Sequence, residues 1–346
     1  MRVSFLSLLI FASSKLFAAE TPLKIYMWED TLSPEIRANW ESKTATPLLL
    51  SHFDNDDERS LLMMKSVQLP FDVVVLDNVS AKIYGRLGAF ENLTHLDNRS
   101  HNDAKWNQAC GDYAIPYFWG SVGVAYRKDI VHSPPETWTD FIHPPDELVG
   151  KIGMINDSTE TFLPVFYSLG IPPTTENPAD MQSAYSKVMS FSDTVLTYEY
   201  ILSYIRSQSN PNQLQMSLAY SGDQYSLNRF FGNDLWDFTI PDGEMFLWVD
   251  CLAISTHSEQ KGAAKAFLEY LMDPKIAAKN AIDIKAATPN ASAIKLLPDW
   301  YLNDSSLFPS KERINNARID SELSAENISL RTKIINQLLK RHEAKY

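Results

Sequence analysis

The chain of 346 residues is 45% hydrophobic, and 43 acidic against 31 basic residues leave it a formal net charge of −12. That balance excludes the basic surface a nucleic-acid partner requires, and a length beyond the roughly 250–300 residues at which a single core stops growing points to two lobes. Two cysteines, Cys110 and Cys251, permit one disulfide but no disulfide framework.

Residues 1–19, MRVSFLSLLIFASSKLFAA, have a basic start at Arg2, an apolar run from Val3 to Ala12 and small residues at Ala18 and Ala19. This is the layout of a signal peptide. The apolar run is shorter than the about 20 residues a membrane span needs, so the mature chain is expected to be exported and soluble. LKIYMW (23–28) follows as a short apolar strand, then SPEIRANWESKTA with helical spacing. FDVVVL (71–76) is a continuous β-branched run suited to a buried parallel strand. Residues 79–93 have helical spacing, and IPYFWGSVGVAYR (115–127) reads as a longer strand. A second strand and helix series opens at KIGMIND (151–157) and continues through LQMSLAYSG (214–222). KGAAKAFLEYLMDP (261–274) is an amphipathic helix expected to end at Pro274, and 324–344 forms another. Strands alternating with helices specify an α/β protein.

Acidic residues recur where these strands end: Glu29 and Asp30 beside Trp28, Asp77, Asp157 with Glu160, and Asp223 after Tyr220. Ligands of α/β sheets bind beyond the carboxyl ends of strands, so four such clusters suggest one electronegative site. Each also has a plainer reading. Asp30, Asp77 and Asp157 precede helical segments and could cap them; Asp157 and Glu160 have capping-box spacing; Trp28 and Trp248 could be core aromatics. Capping does not account for Asp250, which interrupts the apolar strand FLWVDCLAIS (246–255) on the face shared by Phe246, Trp248, Leu252 and Ile254. A carboxylate there calls for a positive partner. Cys251 falls on the opposite face and reads as a packed core cysteine. No HExxH, CxxC, phosphate-cradling glycine loop or GxSxG elbow occurs, so neither metal nor cofactor is expected.

The motifs YMWED (26–30), FDVVVLD (71–77), YAIPYFWGSVGVAYR (113–127), NDSTE (156–160), YSGD (220–223), FLWVDCLAIS and ATPN (287–290) resemble, in order and spacing, the periplasmic spermidine/putrescine-binding proteins of ABC importers. The resemblance implies a two-lobed Venus-flytrap fold, each lobe a sheet flanked by helices and joined by hinge crossovers. Lobe 1 would comprise 20–118 and 251–300, and lobe 2 would comprise 119–250 and 301–346. It implies a non-enzymatic, monomeric, periplasmic protein that takes a polyamine to an inner-membrane ABC permease. Carried over, Trp28, Glu29, Asp30, Asp77, Asp157, Glu160, Tyr220, Asp223, Trp248, Asp250 and Asp320 would contact the ligand, and an ammonium would be the partner of Asp250. Carboxylates along an aromatic trough suit ammonium groups separated by methylenes. The chain departs from the family by Tyr220 in place of tryptophan, Asp77 in place of a small polar residue, Val79 near an expected aromatic and Ala286 in place of tyrosine, which implies a more acidic, less aromatic site. Another cationic solute, or an acid-pair hydrolysis, are the alternatives.

Overall fold

The computed structural model describes residues 21–53, 56–65 and 69–345, so the expected signal peptide lies outside the described residues. Its strands are β1 (Leu23–Trp28), β2 (Leu48–Phe53), β3 (Val73–Asp77), β4 (Ile115–Arg127), β5 (Ile152–Gly153), β6 (Val195–Thr197), β7 (Met216–Tyr220), β8 (Trp236–Thr239), β9 (Phe246–Ile254) and β10 (Arg318–Ile319). They are hydrogen-bonded in the order β2-β1-β3-β9-β4-β7-β5-β6, with β10 added to β9 and β8 to β4. β1 is parallel to β2 and β3, and β5 to β6 and β7, as crossover connections through helices require. β4 and β9 run antiparallel to each other and tie these two parallel groups together: the first half of β4 pairs with β9 and the second with β7 and β8.

Alternation along the strands builds separate cores on this frame. Val73 and Val75 of β3 enter one core with Leu23, Ile25, Leu252, Ile254 and Phe267, while Val74 and Leu76 enter another with Leu247, Val249 and Trp119. Both faces of β3 are therefore buried, which explains its unbroken apolar sequence. A third core gathers Val122, Phe141, Ile152, Phe166, Leu218, Phe246 and Ile335. Trp248 packs against the first and the third alike. Tyr301 and Leu307 pack with Ala277, Ala278 and Leu297.

Several elements differ from the sequence reading for local reasons. The helix expected over 79–93 spans Asn78–Arg86 and stops where Gly88 turns at a φ of 81°. Pro274 does not simply end a helix; it follows Asp273, whose carboxylate accepts from the amides of Lys275 and Ile276 and caps the next helix, Pro274–Ile284. Only Ile152–Gly153 of 151–157 is strand. Cys251 is not a lone packed cysteine: it is disulfide-bonded to Cys110, 141 residues away, and pins the helix Ala104–Cys110 onto β9.

Candidate functional site

The carboxyl ends of β1, β3 and β7 converge with the middle of β9 on a cleft of about 520 Å³, and all eleven residues singled out in the sequence line it. Eight of them are carboxylates, against two basic lining residues, Arg206 and Lys285, among the described residues. Lys285 Nζ is drawn over the ring of Trp300 at 4.4 Å.

Aromatic rings form a continuous wall. Trp28 packs on Phe53 at 4.5 Å and on Tyr200 at 5.9 Å, Tyr200 on Tyr220 at 5.8 Å, and Tyr220 on Trp248 at 6.0 Å. Tyr200 is the link the sequence did not disclose, since nothing local marks it. Trp248 stands opposite Gly120 in the β4–β9 register, and a Cβ at Gly120 would sit 2.5 Å from the indole and 2.3 Å from Ser221 Oγ. Only glycine leaves room for that ring.

The loop after β1 is held by Tyr117, whose hydroxyl donates to the carbonyl of Thr31 at 2.5 Å, and by Thr31 Oγ1, which donates to the Trp28 carbonyl at 2.8 Å. Asp30 adopts a φ of 60° and caps no helix; Ser33 caps the helix Pro34–Thr44. Glu29 and Asp30 both accept from the guanidinium of Arg206, on the helix Ile201–Ser207.

Asp77 does cap: Oδ1 accepts from the amides of Val79 at 2.9 Å and Ser80 at 2.7 Å. Its Oδ2 accepts at 2.6 Å from buried Arg59, whose guanidinium lies over Phe53. Asp77 also stands opposite Asp250 in the β3–β9 register. Like charges facing across strands destabilise a sheet, and Arg59 offsets this from one side. The added charges of Glu29 and Asp77 are thus each met by an arginine of the protein, Arg206 and Arg59 respectively.

Asp157 organises a turn rather than a capping box, since the next helix starts only at Leu163; its Oδ1 accepts from the amides of Thr159 and Glu160. This turn rests on Arg331, buried between Phe162 and Phe166, which donates to the Ser158 carbonyl at 3.1 Å and to Asn327 at 2.6 Å. Burial lowers the Arg331 pKa to about 10, with Asp320 and Asp157 opposing the shift. Asp223 accepts from the Tyr200 hydroxyl at 2.6 Å and the Tyr220 amide at 2.8 Å; burial pushes it up to about 7 against those bonds and Arg206. Asp320 keeps some surface open to the cleft but is enclosed by protein on most sides. That desolvation, then the charges of Asp77 and Asp157, pushes it up to about 8.

Half-buried Asp250 lies on the cleft floor beside Trp248. Among the described residues no group of His, Cys, Asp and Glu is arranged to hold a metal, and no helix is long and apolar enough to cross a membrane. What the arrangement can do chemically is receive cationic groups joined by an apolar chain.

Comparison with known proteins bears on that geometry. The sequence pattern of the family described as bacterial extracellular solute-binding protein matches residues 55–309. The chain is 49% identical over 341 residues to the norspermidine sensor of Vibrio cholerae serotype O1, covering 99% of this chain and 95% of that protein. It is 24% identical to the spermidine/putrescine-binding periplasmic protein of Escherichia coli strain K12, covering 88% and 87%. Among solved structures, the spermidine/putrescine ABC transporter substrate-binding protein of Streptococcus pneumoniae superposes with a TM-score of 0.75 at 19% identity, covering 93% of this chain and 100% of that one. The shared fold is that of two-lobed periplasmic-binding proteins.

Proposed function

Since the chain belongs to the bacterial extracellular solute-binding proteins, a family of binders rather than enzymes, we propose that it captures a linear polyamine between two lobes in the periplasm. The observation that carries this reading is one cleft in which eight carboxylates meet an unbroken aromatic wall. Carboxylates accept the ammonium hydrogens in charge-assisted bonds, and ring faces take up the methylenes and contribute about 0.5–2 kcal/mol per cation. Asp250, Asp157, Glu160 and Asp320 are the acids assigned to ammonium groups, and Trp28, Tyr220 and Trp248 the aromatic walls. The lobes are assigned as 20–118 with 251–308, and 119–250 with the C-terminal segment. The third crossover, expected near residue 300, is proposed to follow Phe308, a reading supported by the packing of Tyr301 and Leu307 on Ala277, Ala278 and Leu297.

Two outputs follow from capture. Delivery to an inner-membrane ABC permease is supported by the naming of the Escherichia coli and Streptococcus pneumoniae proteins. A sensory output is supported by the Vibrio cholerae relative, a norspermidine sensor at twice the identity. Thermal melting with norspermidine, spermidine, putrescine and a neutral diol of matched length tests capture. A rise that follows RT ln(1 + [L]/Kd) for amines alone is expected; no shift, or consumption of the amine, overturns it. Polyamine uptake in cells lacking the gene separates the outputs: normal uptake overturns delivery.

A further inference from the structure

We propose that Arg206 limits the length of amine the cleft accepts by occupying the carboxylates at one end of the trough, an inference that rests on the polyamine reading above. Glu29 and Asp30 line the cleft, yet both accept from one guanidinium, Nη1 to Glu29 and Nη2 to Asp30. The three side chains are 30%, 51% and 48% exposed, which places the triad where the trough meets solvent rather than on its floor. Both sides of the contact are held in place. The carboxylates sit on the loop fixed by Tyr117 and Thr31. Arg206 sits on the helix that begins after Tyr200, which is bonded to Asp223 and packed on Trp28.

A guanidinium presents parallel donors in a planar fork and spans two carboxylates at once, whereas an ammonium is a compact point charge. A single ligand ammonium therefore replaces Arg206 poorly. The charge of Arg206 also reaches inward, since it opposes the upward shift of Asp223. An amine whose charges fit within the deeper section, among Asp250, Asp157 and Asp320, avoids this guanidinium. One carrying a further aminoalkyl unit must set its terminal ammonium against it, a like-charge contact of the kind interfaces use to reject partners.

The test is calorimetric titration of the full chain with the triamine norspermidine and the tetraamine spermine at one ionic strength. Arg206→Gln is expected to raise the tetraamine-to-triamine affinity ratio by about tenfold or more. Arg206→Lys, which keeps the charge but loses the fork, is expected to shift it in the same direction by less. Adding Glu29→Gln and Asp30→Asn to Arg206→Gln should remove the gain, because the released carboxylates are its source. An unchanged ratio in Arg206→Gln overturns the role of Arg206; if that variant melts too early to titrate, an unchanged ratio in Arg206→Lys does so. Wild-type protein that binds neither amine overturns the polyamine reading itself, and this inference with it.

Discussion

At the scale of single residues, the polyamine reading bears most directly on Asp250, on the cleft floor beside Trp248. Asp250→Asn keeps the shape and one acceptor but removes the charge on the floor. Polyamine affinity is expected to fall by about 2–5 kcal/mol, the usual loss when a desolvated charge pair loses one partner. Because Asp250 faces Asp77 across the sheet, the unliganded variant should melt no lower than wild type. Titration and melting on this one protein suffice; a lower melting temperature with unaltered binding would make Asp250 structural. Gly120→Ala acts differently, by driving a methyl group into the Trp248 ring and Ser221. It should cost about 1–3 kcal/mol of stability and weaken binding as the indole is displaced, whereas Gly262→Ala, where nothing lies within 4 Å, should not.

The acids with raised pKa give a pH dependence with a definite sign. Asp320 at about 8 and Asp223 at about 7 hold protons in the folded protein that unfolded carboxyls release near their ordinary value of 3.8. The native state therefore binds more protons, and unliganded stability should fall as pH rises from about 4 through 8. Affinity for a polyamine should move oppositely over about pH 6 to 8, because an ammonium favours the ionised carboxylate. Titrations in buffers of different ionisation enthalpy should detect proton release on binding near pH 7, and Asp320→Asn should reduce it.

At the scale of elements, β9 shows how much a local pattern carries. Its alternation sends Leu247, Val249, Cys251 and Ala253 into one core while Leu252 and Ile254 enter another, as period-2 geometry dictates. Trp248 and Asp250 are left where the cores part. The disulfide between Cys110 and Cys251 was open in the sequence because their spacing along the chain carries no distance. It closes a long loop, and Cys110→Ser with Cys251→Ser is expected to lower unfolding stability by about 2–5 kcal/mol. Chemical denaturation with and without reductant checks this, the reductant leaving the double variant unaffected. Strands β2 and β6 and the helix carrying Arg206 had no distinguishing local signal, being short or mixed in polarity, and tertiary packing selects them.

For the whole molecule, β4 and β9 are shared between the two parallel groups of strands, and Arg206 joins Glu29 and Asp30 at the cleft. Tyr225 donates to Asp304 and Gln224 to Ser306 at 2.9 Å, which ties the helix Asp223–Phe231 to the segment after residue 303. Solution scattering should show a smaller radius of gyration at saturating polyamine, the hinge closure such proteins undergo. An unchanged radius would count against a flytrap. Affinity should also weaken in part, not wholly, as salt rises, since exposed charges are screened over about 8 Å at physiological ionic strength while ring contacts persist.

The sequence by itself determined the α/β class, the alternate faces of β9 and, through its ordered motifs, the residues that gather on one cleft. Those properties depend on periodicity and on neighbours a few positions apart. Tertiary structure alone decided which acids already have a cation of their own. Arg59 reaches Asp77 across 18 positions, Arg206 reaches Glu29 across 177, and Cys110 meets Cys251 across 141. Such pairings depend on how helices dock on the sheet, because the field at a carboxylate is set by the charges that folding brings near it and not by those beside it in the chain.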